Sequence, residues 1–203
     1  MLGANSRNLE EKLFGRPAAF LVRHHVHPNA VTITGTVATC GAALTLFPAG
    51  QLWPGALVVG LVATADALDG TMARITGTAS DWGAFLDSTL DRICDAAIVT
   101  GLTLYFARCG YLFGLVAGIV AIAASGLVPY VRARAEALGY KASVGIAERS
   151  DRLVVTLVTA FATGLGAPLW VAAGGLALVA VGALVTVGQR AWAVYCQVRG
   201  AAQ

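Results

Sequence analysis

VTITGTVATCGAALTLFPAGQLWPGALVVGLVATA, residues 31–65, contains no Lys, Arg, Asp or Glu. The uncharged stretch around it is bounded by Arg23 and Asp66, and a second one lies between Arg152 and Arg190. A membrane-spanning helix needs about 20 apolar residues, so each stretch can hold two helices and a turn. Phe47-Pro48-Ala49-Gly50-Gln51 divides the first and Gly164-Leu165-Gly166-Ala167-Pro168 the second, and Pro and Gly mark where a helix stops and reverses. The middle of the chain adds two more helices that meet near Arg108-Cys109-Gly110. The expected fold is all-α: a polytopic membrane protein with six transmembrane helices at 30–47, 53–73, 83–107, 111–136, 150–164 and 168–192. They form a six-helix bundle over 30–192 within a single membrane domain, 1–203.

Composition agrees. Of 203 residues, 57% are hydrophobic and 12% charged, against roughly 25% charged in a soluble domain. The charges also set orientation. Arg7, Lys12, Arg16 and Arg23 precede the first helix, Arg74 follows the second, and Arg132, Arg134, Lys141, Arg149 and Arg152 surround the fourth connection. Arg190 and Arg199 close the chain, and Arg108 alone falls on the opposite side. The positive-inside rule puts both termini in the cytoplasm. The net charge of +3 is therefore one membrane face that can meet anionic headgroups, not a nucleic-acid footprint. Residues 1–25 are charged throughout and lack the apolar core of a cleavable signal, so they read as an interfacial amphipathic helix with Leu9, Leu13, Phe20 and Leu21 toward lipid. Cys40, Cys94, Cys109 and Cys196 are scattered apolar fillers without disulfide or metal spacing. His24, His25 and His27 suit a headgroup layer better than a metal site, and Trp53, Trp82, Trp170 and Trp192 near helix ends suit an aromatic belt.

The acids are concentrated where helix 2 leaves the membrane and helix 3 re-enters: Asp66-Ala-Leu-Asp69-Gly70-Thr-Met-Ala73-Arg74, eight residues, then Gly83-Ala-Phe-Leu-Asp87-Ser-Thr-Leu-Asp91. Asp66 and Asp69 are spaced i, i+3 and Asp87 and Asp91 i, i+4, so on helices each pair shares a face. Four like charges gathered in a partly dry site need compensation. Hard oxygen ligands suit Mg²⁺ or Mn²⁺, which bind phosphate oxygens in phosphoryl transfer. Intramembrane acids are costly and mark functional sites. Gly70 and Gly83 permit close approach of a ligand or helix, and Arg74 can pair with a phosphate. Asp81 and Asp95 stand apart from this set: Asp95 continues the Asp87–Asp91 face, but pairing with a basic neighbour is its other reading.

The order Asp-x2-Asp-Gly-x2-Ala-Arg-x8-Gly-x3-Asp-x3-Asp over residues 66–91 resembles the signature of the CDP-alcohol phosphatidyltransferase family without departure. The resemblance implies an enzyme that binds CDP-diacylglycerol and two divalent ions, Mg²⁺ or Mn²⁺. It would transfer the phosphatidyl group to an alcohol and release CMP. It implies Asp66, Asp69, Asp87 and Asp91 as metal ligands, with Asp66 also at the nucleotide end. Gly70, Ala73, Arg74, Asp69 and Gly83 would line the CDP-lipid pocket, and Asp91 would be the general base. Pro28-Asn29-Ala-Val-Thr32 is similar to a segment that helps hold the nucleotide, through Asn29 and Thr32. Plain helix capping by Asn29 is the other reading of that segment. A homodimer is implied as well.

The acceptor is read from arginines. Tyr130-Val-Arg132-Ala-Arg134-Ala-Glu136, Glu148-Arg149-Ser-Asp151-Arg152 and Arg190 could bring cations from three helices beside the aspartates. A phosphorylated acceptor favours such charge-assisted partners. The arrangement resembles the actinobacterial phosphatidylinositol-phosphate synthase branch of the family, which implies inositol 1-phosphate held by Arg134, Arg152 and Arg190. Phosphatidylglycerophosphate synthesis from glycerol 3-phosphate is the nearest alternative. A cation transporter using the same aspartates is the alternative of another class, although transporter sites usually lie near the bilayer midplane.

Overall fold

The computed structural model describes residues 19–20, 22–24, 27–65, 72, 76–77 and 80–201. Within them lie six helices: α1 Pro28–Leu46, α2 Leu52–Ala65, α3 Asp81–Arg108, α4 Leu112–Ala137, α5 Arg149–Gly164 and α6 Leu169–Ala201. No strand occurs among the described residues. Most of the expected N-terminal interfacial helix, the second helix beyond residue 65, and Asp66, Asp69, Gly70, Ala73 and Arg74 lie outside them.

Local chemistry explains the ends. Pro28 occupies the first turn of α1, where its missing N–H costs nothing. His27, not Asn29, is the N-cap: its Nδ1 accepts from the Asn29 N–H at 3.3 Å, which corrects the capping reading of Asn29. The α1–α2 turn is closed by Gly50 at φ 81°. Across from it Arg108, at the end of α3, donates to the Pro48 carbonyl at 2.8 Å. The predicted boundaries need three corrections, the first being that α1 begins at Pro28 and not at residue 30. α3 begins at Asp81, two residues before Gly83, because Ser80 supplies its cap. α6 does not stop at 192 but continues to Ala201, since nothing from Ala191 to Gly200 breaks a helix and interfacial side chains carry it onward. Trp192 and Tyr195 stack with centroids 5.5 Å apart, and Arg199 lies 4.9 Å from the Tyr195 ring.

The helices close a ring in the order α1, α2, α5, α6, α4, α3 and back to α1, each packed on two neighbours, and α3 barely touches α5 across its interior. Lipid tails are as apolar as Leu, so such helices associate through close packing of small residues rather than by expelling water. Ala117, Ala121 and Ala124 of α4 and Ala172, Ala173, Ala180 and Ala183 of α6 are all buried. Gly101 of α3 lies so near α1 that a Cβ there would collide with the Ala43 carbonyl. The interior also carries polar stripes: Thr32, Thr36 and Thr39 on α1, and Arg152, Thr156 and Thr163 on α5. Thr32 and Thr36 satisfy their hydroxyls on carbonyls one turn back.

The outside is the reverse of a soluble surface. Val37, Leu61, Leu112, Leu178, Trp170 and Trp192 are all exposed. α1, α4 and α6 are long and apolar enough to cross a membrane, and Leu52–Thr64 is a shorter apolar helix. These apolar helices and their bare hydrophobic exterior mark an integral membrane protein.

Candidate active site

α3 builds one wall of the site. The Ser80 hydroxyl accepts from the Gly83 N–H at 3.1 Å, and Asp81 sits in the first turn, where negative charge suits the helix dipole. From that start Asp87, Asp91 and Asp95 follow at one-turn intervals along one face. Asp87 is exposed, whereas the Asp91 and Asp95 side chains retain only 16% and 18% of their exposure.

α5 supplies the facing charges. The Asp151 carboxylate accepts from the Glu148 N–H at 3.0 Å, the return bond of a capping box, and this first turn presents Arg149 and Arg152 to α3. The Arg149 guanidinium spans two acids: Nη2 lies 2.8 Å from Asp91 Oδ1, and Nε donates to Asp95 Oδ1 at 3.1 Å. Arg152, only 6% exposed, donates through Nη1 to the Ala147 carbonyl at 2.7 Å and places Nη2 4.0 Å from Asp95 Oδ2. Arg92 approaches the other side of Asp91, Nη2 to Oδ2 at 3.5 Å. A buried guanidinium is tolerable only when paired, and Asp95 and the Ala147 carbonyl provide the pairing for Arg152.

Arg190 of α6 lies within electrostatic reach of Arg152. Its Nε donates to the Val144 carbonyl at 2.9 Å and its Nη1 to the Val128 carbonyl at 2.5 Å, so it ties α4 and the α4–α5 connection to α6. Arg134 is exposed in the last turn of α4 and makes no hydrogen bond or ion pair among the described residues. Its neighbour Arg132 pairs with Glu136 at 2.8 Å and is the α4 arginine within electrostatic reach of Arg190.

A cavity lies between these walls, lined by Asp95, Ser125, Arg149, Arg152 and Thr156. The Ser125 hydroxyl is buried there with no partner among the described residues. Arg152 also borders an open cleft lined by Ile146, Ala147, Asp151, Val155, Leu178 and Gly182. At the mouth of α1, Asn29 lies beside Gly83: a Cβ on Gly83 would sit 3.7 Å from Asn29 Oδ1. Thr32 is buried one turn further in.

Thus Asp91, Arg152 and Arg190 come to one end of the ring, Asp87 precedes Asp91 by one turn, and Asn29 meets Gly83. No group of three His, Cys, Asp or Glu able to hold a metal occurs among the described residues, which omit Asp66 and Asp69. The donors that are described, two carboxylates one helical turn apart, fit a hard divalent cation. Two members of the site, Asp95 and Arg149, had no assigned role in the sequence reading. Asp95 does pair with basic neighbours, as expected, but those neighbours are Arg149 and Arg152, so it belongs to the site. Arg149 holds Asp91 directly. The i, i+4 continuation from Asp91 to Asp95 was the available signal.

Comparison with known proteins points the same way. Residues 25–187 match the family description CDP-alcohol phosphatidyltransferase. The chain is 49% identical over 155 residues to the phosphatidylinositol phosphate synthase of Cutibacterium acnes, covering 76% of this chain and 75% of that one. It is 41% identical over 195 residues to that of Mycobacteroides abscessus, covering 96% and 89%. The crystal structure of Mycobacterium tuberculosis phosphatidylinositol phosphate synthase with CDP-DAG bound superposes with a TM-score of 0.86 at 36% identity, covering 91% of this chain and 94% of that one. The same protein has been solved in complex with manganese and citrate, with a TM-score of 0.82 at 37% identity over 89% of this chain and 88% of that one.

Proposed function

This chain belongs to the CDP-alcohol phosphatidyltransferase family, and from that premise we propose that it transfers the phosphatidyl group of CDP-diacylglycerol to inositol 1-phosphate, forming phosphatidylinositol phosphate and releasing CMP. The observation that carries the acceptor assignment is the junction of Asp91 with cationic side chains: Arg149 on its Oδ1, the buried Arg152 one helical turn further along α5, and Arg190 within reach. A neutral alcohol has no use for several arginines at the acceptor side, whereas a phosphate monoester binds them through charge-assisted hydrogen bonds. The names and the bound CDP-DAG of the relatives support the same reading.

In the proposed reaction the acyl chains of the donor stay in the bilayer. The nucleotide is held by Asn29, Thr32, Asp66, Asp69, Gly70, Ala73, Arg74 and Gly83, and the acceptor phosphate by Arg134, Arg152 and Arg190. Asp91 takes the proton of the acceptor hydroxyl as its oxygen attacks the lipid-bearing β-phosphorus. That P–O bond forms as the bond to the nucleotide phosphate breaks, and CMP departs. Two divalent ions, Mg²⁺ or Mn²⁺, held by Asp66, Asp69, Asp87 and Asp91, would neutralise charge on the pyrophosphate; manganese in the relative's structure supports this. The arginines at the site's end of the ring support six membrane crossings within one domain, with that end cytoplasmic. A homodimer remains part of the proposal.

CMP release by purified protein with CDP-diacylglycerol and Mg²⁺ tests the reading, comparing inositol 1-phosphate, free inositol and glycerol 3-phosphate. Release with inositol 1-phosphate alone is expected. Release with glycerol 3-phosphate instead keeps the aspartate site and overturns the acceptor. No release with any acceptor overturns the assignment.

A further inference from the structure

Asp95 has no place in the proposed chemistry: it is one turn beyond Asp91 and belongs to no expected ligand set. Its surroundings are nevertheless built around it. Arg149 Nε donates to its Oδ1 at 3.1 Å, and Arg152 Nη2 lies 4.0 Å from its Oδ2. Two arginines of α5 therefore converge on one carboxylate of α3. Arg149 then reaches back one turn with its other nitrogen to Asp91 Oδ1 at 2.8 Å.

The topology gives this bridge its importance. α3 and α5 are not neighbours in the ring and hardly touch through their backbones. What joins them is the Asp91–Arg149–Asp95–Arg152 chain across the interior. Ion pairs between half-buried side chains contribute little net stability, so stability alone does not account for them. A fixed geometry does. A guanidinium held at Nε and Nη2 by two carboxylates one helical turn apart loses the rotational freedom that a lysine would keep.

We infer that Asp95 is a positioning residue: it sets Arg152 for the phosphate of the acceptor and, through Arg149, sets the carboxylate of Asp91 against the acceptor hydroxyl. The inference rests on the functional reading above and adds a specificity-determining pair, Asp95 and Arg149, that the reading does not contain. Among the described residues, the partners of Asp95 are the two arginines of α5, at 3.1 and 4.0 Å. Loss of Asp95 therefore acts first on the acceptor and on turnover, and least on the donor.

The test uses the full-length protein in detergent micelles, comparing wild type with Asp95→Asn and Arg149→Lys. Asp95→Asn keeps the shape and removes the charge; Arg149→Lys keeps the charge and removes the fork. For Asp95→Asn the expected result is a tenfold or greater rise in the KM for inositol 1-phosphate, a matching weakening of inositol 1-phosphate binding by calorimetry without turnover, a fall in kcat, and a KM for CDP-diacylglycerol within twofold of wild type. Arg149→Lys is expected to lower kcat with less effect on acceptor binding, and it decides the matter if Asp95→Asn does not fold. Unchanged acceptor binding and kcat in the folded variants would overturn the inference. So would an equal loss on donor and acceptor together with a lowered melting temperature, the mark of a merely structural acid. Wild-type protein inactive with every acceptor would overturn the functional reading, and this inference with it. Wild-type turnover beside unaffected variants would overturn the inference alone.

Discussion

Gln197, near the end of α6, clasps the main chain of Lys141: its Oε1 accepts from the Lys141 N–H at 2.9 Å, and its Nε2 donates to the Lys141 carbonyl at 2.7 Å. Earlier in the same helix Arg190 donates to the Val144 carbonyl, and the Thr186 hydroxyl accepts from the Ala147 N–H at 3.2 Å. Three side chains of α6 thus hold the extended segment that leads into Glu148, Arg149 and Arg152. The C-terminal part of α6, from Thr186 to Gln197, which itself lies beyond the expected membrane span, acts as a rail for the loop that delivers the arginines.

Gln197→Leu removes both clasping bonds. Two hydrogen bonds of this kind contribute about 1–3 kcal/mol net, so the Lys141 amide is expected to exchange roughly tenfold faster or more, with exchange rising along residues 141–147. Hydrogen–deuterium exchange followed by mass spectrometry reads this directly. An unchanged pattern in that segment would show that Arg190 and Thr186 suffice to hold it.

Asp91→Asn keeps the size of the side chain and removes the proton acceptor. General-base catalysis typically contributes about 10²–10⁴-fold, so turnover should fall by at least about two orders of magnitude while CDP-diacylglycerol binding largely persists. Single-turnover CMP release beside equilibrium binding of the donor separates the two. Near wild-type turnover would remove Asp91 from the role of base.

How much of this was legible in the sequence depended on range. The turn at Pro48–Gly50 and the break at Gly164–Pro168 are local signals, and the helices end there. The Asp87–Asp91 face was legible because the two residues are separated by one helical turn. The end of α6 was not, because the uncharged run stops at Arg190 whereas the helix follows backbone propensity through Trp192 and Tyr195 to Ala201. The cap of α1 was misread because His27 was assigned to the headgroup layer, yet its Nδ1 does the work expected of Asn29. Arg149 and Asp95, 54 positions apart, meet only through the ring closure, and no local pattern specifies that meeting.

Gly101→Val tests the packing that brings α3 onto α1. A Cβ at Gly101 would collide with the Ala43 carbonyl, and Phe47 stands 3.2 Å away on the other flank. The neighbour is backbone and cannot swing aside. Overpacking of this kind costs about 1–3 kcal/mol or more, so a clear drop in melting temperature in detergent is expected. Gly126→Val is the control, because nothing lies within 4 Å of a Cβ there. Equal melting temperatures for the two variants would mean that α1 and α3 are not in contact at this point.

Chelation separates the metal proposal from every other part of the reading. Asp87 is exposed and one turn from Asp91, so its carboxylate is free to take a cation without breaking the Arg149 bridge. EDTA should abolish CMP release, and Mg²⁺ or Mn²⁺ should restore it. Even supporting groups around metal ligands cost about 10–100-fold in affinity when removed, so Asp87→Ala should raise the half-saturating metal concentration by at least about tenfold. The arginine network does not involve Asp87, so inositol 1-phosphate binding in this variant should match wild type. A metal titration of Asp87→Ala that overlays the wild-type curve would take Asp87 out of the ligand set, and activity that survives EDTA would remove the metals from the mechanism.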